Sequence, residues 1–201
     1  NAYLLASEGF PVTVFEAFHA LGGVLRYGIP EFRLPNDLID DVVGKIRLLG
    51  GRFVQNFVVG KTATIQDLKD AGFHRIFVGT GAPKGKDLDI PGRKEAAKNI
   101  HIGIDFLTSV AFKHVEKIGK RVVVIGGGNT AMDCCRTALR LGAEEVTVTI
   151  RSPRKVMKAS EWEIKDALYE GIPILDNHAP KEFVLKAGKL VAVVFEKMVE
   201  D

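Results

Sequence analysis

The stretch that most constrains the fold is KRVVVIGGGNTAMDCCRTALRLGAEEVTVTIR, residues 120–151. Four apolar β-formers lead directly into Gly126, Gly127 and Gly128, a helical pattern follows, and a second apolar strand ends at Arg151. A strand, a glycine turn, a helix and a second strand form the setting in which a GxGxxG-type pattern binds a dinucleotide. The glycines let the backbone approach a pyrophosphate, and the helix N-terminus offers N–H groups and its positive dipole end. This complete context favours a dinucleotide site over a glycine turn without a ligand.

Two further details of this stretch refine the prediction. Ala131 stands where the third glycine of the pattern would be, which the pattern allows because that position only has to pack closely on the strand. A carboxylate at the end of the second strand would bind a free ribose 2′-OH, whereas an arginine pairs with a 2′-phosphate. Arg151, followed by Arg154 and Lys155, therefore favours NADP over NAD, with a solvated basic loop as the alternative.

Strands alternate with helices along the rest of the chain, which predicts a largely parallel sheet in each half. The predicted helices cover 36–49, with Asn36 as N-cap, a short segment after Thr64, 103–112, the segment after GGNTA, and one opened by a capping box from Ser160 to Glu163. The predicted strands are RFVQNF, RIFVGTGA, RVVVIG and EVTVTI, and a C-terminal hairpin joins KEFVLK to LVAVVFEK through AGK. The fold class is therefore α/β, with parallel sheets and a C-terminal β-hairpin.

The opening NAYLLASEGFPVTVFEAF has the pattern of the second half of a βαβ unit. A helix closed by Gly9 precedes a buried strand that ends on the carboxylate of Glu16. A dinucleotide-binding unit needs a strand and a glycine turn before this helix. Either this unit is not a nucleotide site or the chain is a fragment of a larger protein.

Composition excludes several classes of function. A net charge of +3 is too small to indicate a nucleic-acid or membrane partner. The two cysteines, Cys134 and Cys135, are adjacent and lie in a predicted helix without CxxC spacing, which favours a packing role over redox chemistry. The absence of a disulfide framework indicates a reducing compartment, the cytoplasm by default. The five histidines lack the spacing of metal ligands, so no metal site is predicted.

The motifs together resemble those of the small (beta) subunit of NADPH-dependent glutamate synthase and related FAD- and NAD(P)-dependent oxidoreductases, including the flavin part of dihydropyrimidine dehydrogenase. The most specific motif is GGVLRYGIPEFRLP, and FVGTGA, LDIPG, IDFL, VVVIGGGNTAMDC and PKEF follow in the family's order. The resemblance implies FAD contacts for Glu16, Gly23, Val24, Arg33, Val59, Thr80, Gly81 and Ala82. It implies NADPH contacts for Gly126, Gly128, Asn129, Thr130, Ala131, Arg151 and Arg154. Lys158 stands where relatives often have proline.

The resemblance also implies two Rossmann-like dinucleotide-binding domains, an incomplete FAD domain over residues 1–97 and an NADP domain over 98–201. In that reading the chain is an internal fragment, and FAD binding to it is weak or absent. The parent protein would pass hydride from NADPH to FAD and electrons onward to iron–sulfur clusters and a partner, the glutamate synthase large subunit or another electron-accepting subunit. Because the cofactors carry this chemistry, no catalytic acid, base or nucleophile is predicted. A non-catalytic NADP-binding or interaction module of a redox complex is the alternative.

Overall fold

The computed structural model describes residues 1–199 of the 201-residue chain and shows an α/β protein. The chain forms two compact units, Asn1–Ala82 and a second unit from Pro83 onward. The helices of the first unit are α1 (Ala2–Ser7), α2 (Val24–Tyr27), α3 (Asn36–Leu48) and α4 (Ile65–Asp70), and its strands are β1 (Thr13–Phe15) and β2 (Arg52–Val54). The second unit contains α5 (Gly103–Ala111), β3 (Arg121–Ile125), α6 (Asn129–Arg140), β4 (Glu145–Thr149), α7 (Glu161–Tyr169), β5 (Ile174–Leu175), β6 (His178–Lys186) and β7 (Lys189–Lys197). None of the described helices has the length and apolar composition needed to cross a membrane.

In the first unit, β1 and β2 pair in parallel, with Val14 opposite Phe53. The ring of Phe15 packs against Phe57 and Phe73, with centroid distances of 4.5 and 5.4 Å. Such aromatic pairs add to the stabilisation from apolar burial alone. The small parallel sheet is thus held to the chain that follows it by an aromatic cluster.

Six helices end with the same backbone device. The residue after the helix C-cap is a glycine in the left-handed region after α1, α3, α4, α6 and α7, with φ between 79° and 92°. The next N–H then donates back to the last turn, as from Ala143 to the carbonyl of Ala138 at 3.2 Å. After α5 the same position is Lys113, with φ 60°. Helix α5 therefore ends in the same geometry without the residue that adopts it most easily.

The second unit is built on a parallel sheet in the order β3-β4-β5. Helix α6 packs on this sheet, and its residues Met132 and Cys135 are fully buried against Val148 of β4. Cys134 lies on the other side of the helix and packs against Phe106 and Leu107 of α5. Both cysteines therefore fill the core on two sides of α6.

Helices α6 and α7 are joined by a group of charged side chains. The guanidinium group of Arg136 lies 3.4 Å from Glu163, 3.1 Å from Asp166 and 2.9 Å from Glu170. Arg140 adds a contact of 2.8 Å to Glu170. Arg136 and Glu163 are buried, so the Arg136 charge is compensated by carboxylates of the neighbouring helix rather than by water.

The C-terminal hairpin of β6 and β7 is antiparallel, as predicted, and turns at Ala187 and Gly188, both with positive φ. It is attached to the segment before α5, because the N–H of Phe183 donates to the carbonyl of Pro91 at 2.9 Å. At this contact a Cβ on Gly92 would lie 2.1 Å from the carbonyl oxygen of Phe183. Only glycine fits there without a shift of the backbone.

Three predictions of local structure are wrong. The segment RIFVGTGA, residues 75–82, is not a strand: it has no sheet partner among the described residues, and Phe77 and Val78 are 73% and 68% exposed. Asn36 is the first residue of α3 rather than its N-cap, which is Pro35. Ser160 does precede α7, but the capping box is not formed because the Glu163 carboxylate contacts Arg136 instead.

Candidate functional site

The glycine turn lies at the carboxyl edge of the parallel sheet, where β3 and β4 end side by side. Ile125 is opposite Thr149, and the N–H of Gly126 donates to the Thr149 carbonyl at 3.0 Å. In open parallel sheets ligands bind beyond this edge of the strands. The sheet register therefore brings the glycine turn and the segment after β4 to one place.

Glycine occupies each of the three positions of the turn for a different structural reason. A Cβ on Gly126 would make only an ordinary contact of 3.6 Å with the Cβ of Ala131, but the φ of 147° at this position is one that other residues rarely adopt. A Cβ on Gly127 would meet Ile150 at 3.1 Å and Met157 at 3.5 Å. At Gly128 nothing lies within 4 Å of such a Cβ. Gly126 thus provides a backbone conformation, Gly127 allows close packing, and Gly128 borders the open space that a bound phosphate requires.

Backbone donors face this open space. Within residues 1–199, the N–H groups of Gly127, Gly128 and Thr130 have no protein acceptor. Helix α6 has no side-chain cap at its N-terminus, and its first turn carries no acidic residue. The positive end of a helix of 12 residues and three unpaired donors fit the pyrophosphate of a dinucleotide.

The segment after β4 carries basic side chains. Arg151, Arg154 and Lys155 are all exposed, and Arg154 begins a short 3-10 turn, Arg154–Val156. In the described part of the chain no carboxylate pairs with the guanidinium group of Arg151 or Arg154. Two arginine side chains that pair with no carboxylate of the described residues therefore follow the strand that neighbours the glycine turn.

This basic segment, residues 151–160, is fixed to the sheet edge at both ends. The N–H groups of Lys158 and Ala159 both donate to the carbonyl of Gly127 at 3.0 Å. The N–H of Ser160 donates to Oδ1 of Asn129 at 2.8 Å. At the other end, the N–H of Arg154 donates to Oδ2 of Asp176 at 3.0 Å.

Sequence reasoning missed this attachment. Asp176 follows β5, a strand of two residues that the apolar pattern did not reveal, and its partner Arg154 is 22 positions away. Ser160 and Asn129 are separated by 31 positions. Ser160 carried a local helix-start signal, but nothing in the sequence shows which side chain its N–H meets.

The predicted flavin residues lie in the first unit. The Glu16 carboxylate follows β1 and accepts a hydrogen bond from the Phe18 N–H at 3.0 Å. Gly23 has φ 53° and precedes α2, which begins at the half-exposed Val24. The remaining predicted flavin residues lie outside the named helices and strands: Arg33 in a turn after Pro30, Val59 in a bridge to Ala63, and Thr80, Gly81 and Ala82 in the exposed segment 75–82.

The loop that carries Gly23 is held together by its own side chains. The Tyr27 hydroxyl contacts both the N–H and the carbonyl of Ala20, closing the loop over the two glycines Gly22 and Gly23. A Cβ on Gly22 would lie 2.8 Å from Ile39 of α3, whereas nothing lies within 4 Å of one on Gly23. Gly22 thus serves packing, and Gly23 leaves backbone accessible, as a bound nucleotide would require.

The two cysteines do not form a redox pair. Burial raises the pKa of the Cys134 thiol to about 12, and it raises the pKa of the Cys135 thiol to about 12 as well. Both side chains therefore stay protonated at neutral pH, and the thiolate, which is the reactive form, is not populated. Packing in the core is therefore the role that the structure supports.

The sheet order, the glycine turn and the free backbone donors define a dinucleotide-binding α/β protein. The chain belongs to the pyridine nucleotide-disulphide oxidoreductase family, whose sequence profile matches residues 2–200. Membership of this family implies FAD and a pyridine nucleotide as cofactors.

Curated relatives refine this assignment. The chain is 39% identical over 174 residues to the beta subunit of NADPH-Fe(3+) oxidoreductase from Geobacter sulfurreducens, covering 85% of this chain and 26% of the relative. It is 35% identical over 191 residues to the glutamate synthase [NADPH] small chain of Azospirillum brasilense, covering 89% of this chain and 39% of that protein. The resemblance to glutamate synthase small subunits is confirmed, and the chain spans only a quarter to two fifths of these two relatives.

Solved structures show the same fold. FprA from Mycobacterium tuberculosis in complex with NADPH matches with a TM-score of 0.75 at 18% identity, covering 98% of this chain and 60% of that one. A thioredoxin reductase from Lactococcus lactis matches with a TM-score of 0.63 at 20% identity, covering 98% and 66% of the two chains. The predicted α/β class with Rossmann-like dinucleotide-binding domains is confirmed.

Proposed function

We propose that the chain is the nucleotide-binding part of an NADPH-dependent flavin oxidoreductase of the glutamate synthase small-subunit type. Residues 98–201 would bind NADPH, and residues 1–97 would contribute to the FAD domain. When bound, the cofactors would supply hydride transfer from NADPH to FAD, and the parent protein would pass the electrons onward to iron–sulfur clusters. The chain's own residues bind and orient the nucleotides.

One observation carries the choice of NADPH: no carboxylate of residues 1–199 pairs with the guanidinium groups of Arg151 and Arg154, which follow the strand next to a glycine turn with free N–H groups. The shared pyrophosphate of NADPH and NADH would meet Gly128, Asn129 and Thr130. The 2′-phosphate carries about two negative charges near neutral pH, and a guanidinium group gives it a charge-assisted partner that NADH cannot use. The arginines would therefore discriminate between the two nucleotides.

The flavin assignment rests on the first unit. Glu16 follows β1, the position at which a carboxylate binds an adenosine ribose in this type of unit. Gly23, Val24 and Arg33 lie in the segment GGVLRYGIPEFRLP, where Tyr27 fixes the loop. These residues would bind FAD through backbone and side-chain contacts and would not react with it.

The names of the relatives support a partner subunit. The relatives named above are a beta subunit and a small chain, and a third, 38% identical over 172 residues, is the NADP(+)-dependent formate dehydrogenase subunit beta of Moorella thermoacetica. Each name describes one part of a larger assembly. We therefore propose that the parent protein delivers electrons to a separate subunit, the glutamate synthase large subunit or a comparable acceptor.

The first prediction tests the nucleotide choice by titration calorimetry at fixed ionic strength, because salt screens these contacts. The wild-type chain is expected to bind NADP(H) more tightly than NAD(H). Arg151→Ala should weaken NADP(H) binding by about 1.5 to 3 kcal/mol, or roughly ten- to a hundredfold, with little effect on NAD(H). Arg154→Ala should act in the same direction to a smaller degree.

Arg121→Ala is the matched control, because Arg121 begins β3 at the opposite end of the strand from the glycine turn. It should leave both affinities unchanged. Equal affinity of the wild-type chain for the two nucleotides would refute the assignment of Arg151. NADPH oxidation with added FAD and an artificial electron acceptor would separate an enzyme from a module that only binds the nucleotide.

A further inference from the structure

We infer that Asn129 and Asp176 are positioning residues that hold the basic segment 151–160 at the distance from the glycine turn that a 2′-phosphate requires. This inference rests on the proposed binding of NADPH and deepens it. It changes the expected role of Asn129, whose carboxamide oxygen accepts a hydrogen bond from the chain's own backbone.

The first attachment connects the glycine turn to the end of the basic segment. Asn129 Oδ1 accepts the Ser160 N–H at 2.8 Å and lies 3.4 Å from the Ser160 hydroxyl. Beside it, the Gly127 carbonyl accepts two N–H groups of the same segment, from Lys158 and Ala159. The turn that would carry the pyrophosphate is therefore bonded directly to the segment that would carry the 2′-phosphate.

The second attachment fixes the start of the 3-10 turn. Asp176 follows β5, which pairs with β4, so its carboxylate is held by the sheet. Its Oδ2 accepts the N–H of Arg154 at 3.0 Å, a charge-assisted bond that positions the backbone of this arginine. A carboxylate near an anion site is unfavourable in itself, and here its bond to the Arg154 backbone explains its presence.

The two attachments fix the backbone of the basic segment but not its arginine side chains. The backbone of the segment is bonded at Arg154, Lys158, Ala159 and Ser160, while the side chains of Arg151 and Arg154 are exposed. A segment fixed before binding loses less conformational freedom when the ligand arrives. Because only NADPH uses these arginines, the benefit of the fixed backbone belongs to NADPH alone.

This role differs from a direct phosphate contact in a measurable way. If the Asn129 side chain only touched the pyrophosphate, its loss would weaken NADPH and NADH binding equally, since both contain that group. If it positions the basic segment, its loss reduces the ratio of NADPH to NADH affinity. The affinity ratio is therefore the readout that separates the two roles.

The experiment measures both affinities by calorimetry for the wild-type chain, Asn129→Ala, Asp176→Ala and the conservative Asp176→Asn. Each alanine variant should lower NADPH affinity about tenfold and NADH affinity less than threefold, whereas Asp176→Asn keeps an acceptor oxygen and should retain most of the ratio. Asn99→Ala and Glu116→Gln are the controls, because both residues are exposed in the same unit and neither has a hydrogen bond to residues 151–160. Circular dichroism checks that every variant is folded.

Hydrogen exchange tests the attachments without any nucleotide. The Ser160 amide should exchange faster in Asn129→Ala, and the Arg154 amide should exchange faster in Asp176→Ala. If the wild-type chain prefers NADPH, unchanged amide exchange or an unchanged affinity ratio in the variants would overturn this inference but not the proposed function. A wild-type chain without a preference for NADPH would reject the proposed function and this inference with it.

Discussion

At the scale of single residues, Gly92 is a position where the structure tolerates little change. Its φ of 80° lies in the left-handed region, and a Cβ would lie 2.1 Å from the Phe183 carbonyl oxygen. The strain of a left-handed alanine costs roughly 1 to 2 kcal/mol, and the clash adds to it. Gly92→Ala is therefore expected to lower the free energy of unfolding by about 2 to 4 kcal/mol, measured by urea denaturation.

Gly188→Ala is the matched control for Gly92→Ala. Gly188 has a similar φ of 73° in the hairpin turn, but nothing lies within 4 Å of its Cβ position. It should cost only the backbone strain, roughly 1 to 2 kcal/mol. Equal losses for the two variants would show that the contact with Phe183 adds nothing.

At the scale of helices and strands, the end of α5 offers a stabilising substitution. Lys113 has the left-handed conformation that glycine adopts after five other helices. Lys113→Gly removes the Cβ strain but gains freedom in the unfolded chain, so the net increase in the free energy of unfolding should be about 0.5 to 1 kcal/mol. Thermal denaturation of both proteins measures it, and a lower midpoint for the variant would contradict the geometry at Lys113.

The charged contacts between α6 and α7 predict a dependence on acid. Hydrogen bonds from Arg140 and Arg136 lower the pKa of Glu170 below its ordinary value of 4.5. A carboxylate with a lowered folded-state pKa stabilises fully above the unfolded value and loses that contribution as the pH falls through the folded one. Stability should therefore drop below about pH 4.5 as Glu170 becomes protonated.

The test compares the free energy of unfolding of the wild-type chain and Glu170→Gln between about pH 3 and pH 7. The glutamine variant should be less stable at neutral pH and should lose less stability on acidification, because it has no carboxylate to protonate at this position. Parallel pH profiles of the two proteins would rule out the Glu170 contribution. Glu116→Gln, at an exposed loop position, should follow the wild type.

At the scale of the whole molecule, the sequence predicted best where the pattern is local. The strand, glycine turn, helix and strand at 120–151 lie next to each other in the chain, and the structure shows them nearly as expected. The FAD and NADPH residues stay predictions, as do the domain boundary at 97/98 and the cytoplasmic location. The capping box at Ser160 was wrong because Arg136, 27 positions before Glu163, takes its carboxylate. A pairing across such a separation has no local signal.

The segment 75–82 has a consequence for the behaviour of the protein in concentrated solution. Residues 76–78 are three consecutive β-formers without a charge or a proline, and Phe77 and Val78 are exposed. Segments of this composition pair readily with copies of themselves as cross-β structure when they lack a partner. Phe77→Lys places a charge in this segment and is therefore expected to slow the growth of light scattering during storage, whereas an unchanged rate would show that the segment takes no part in self-association.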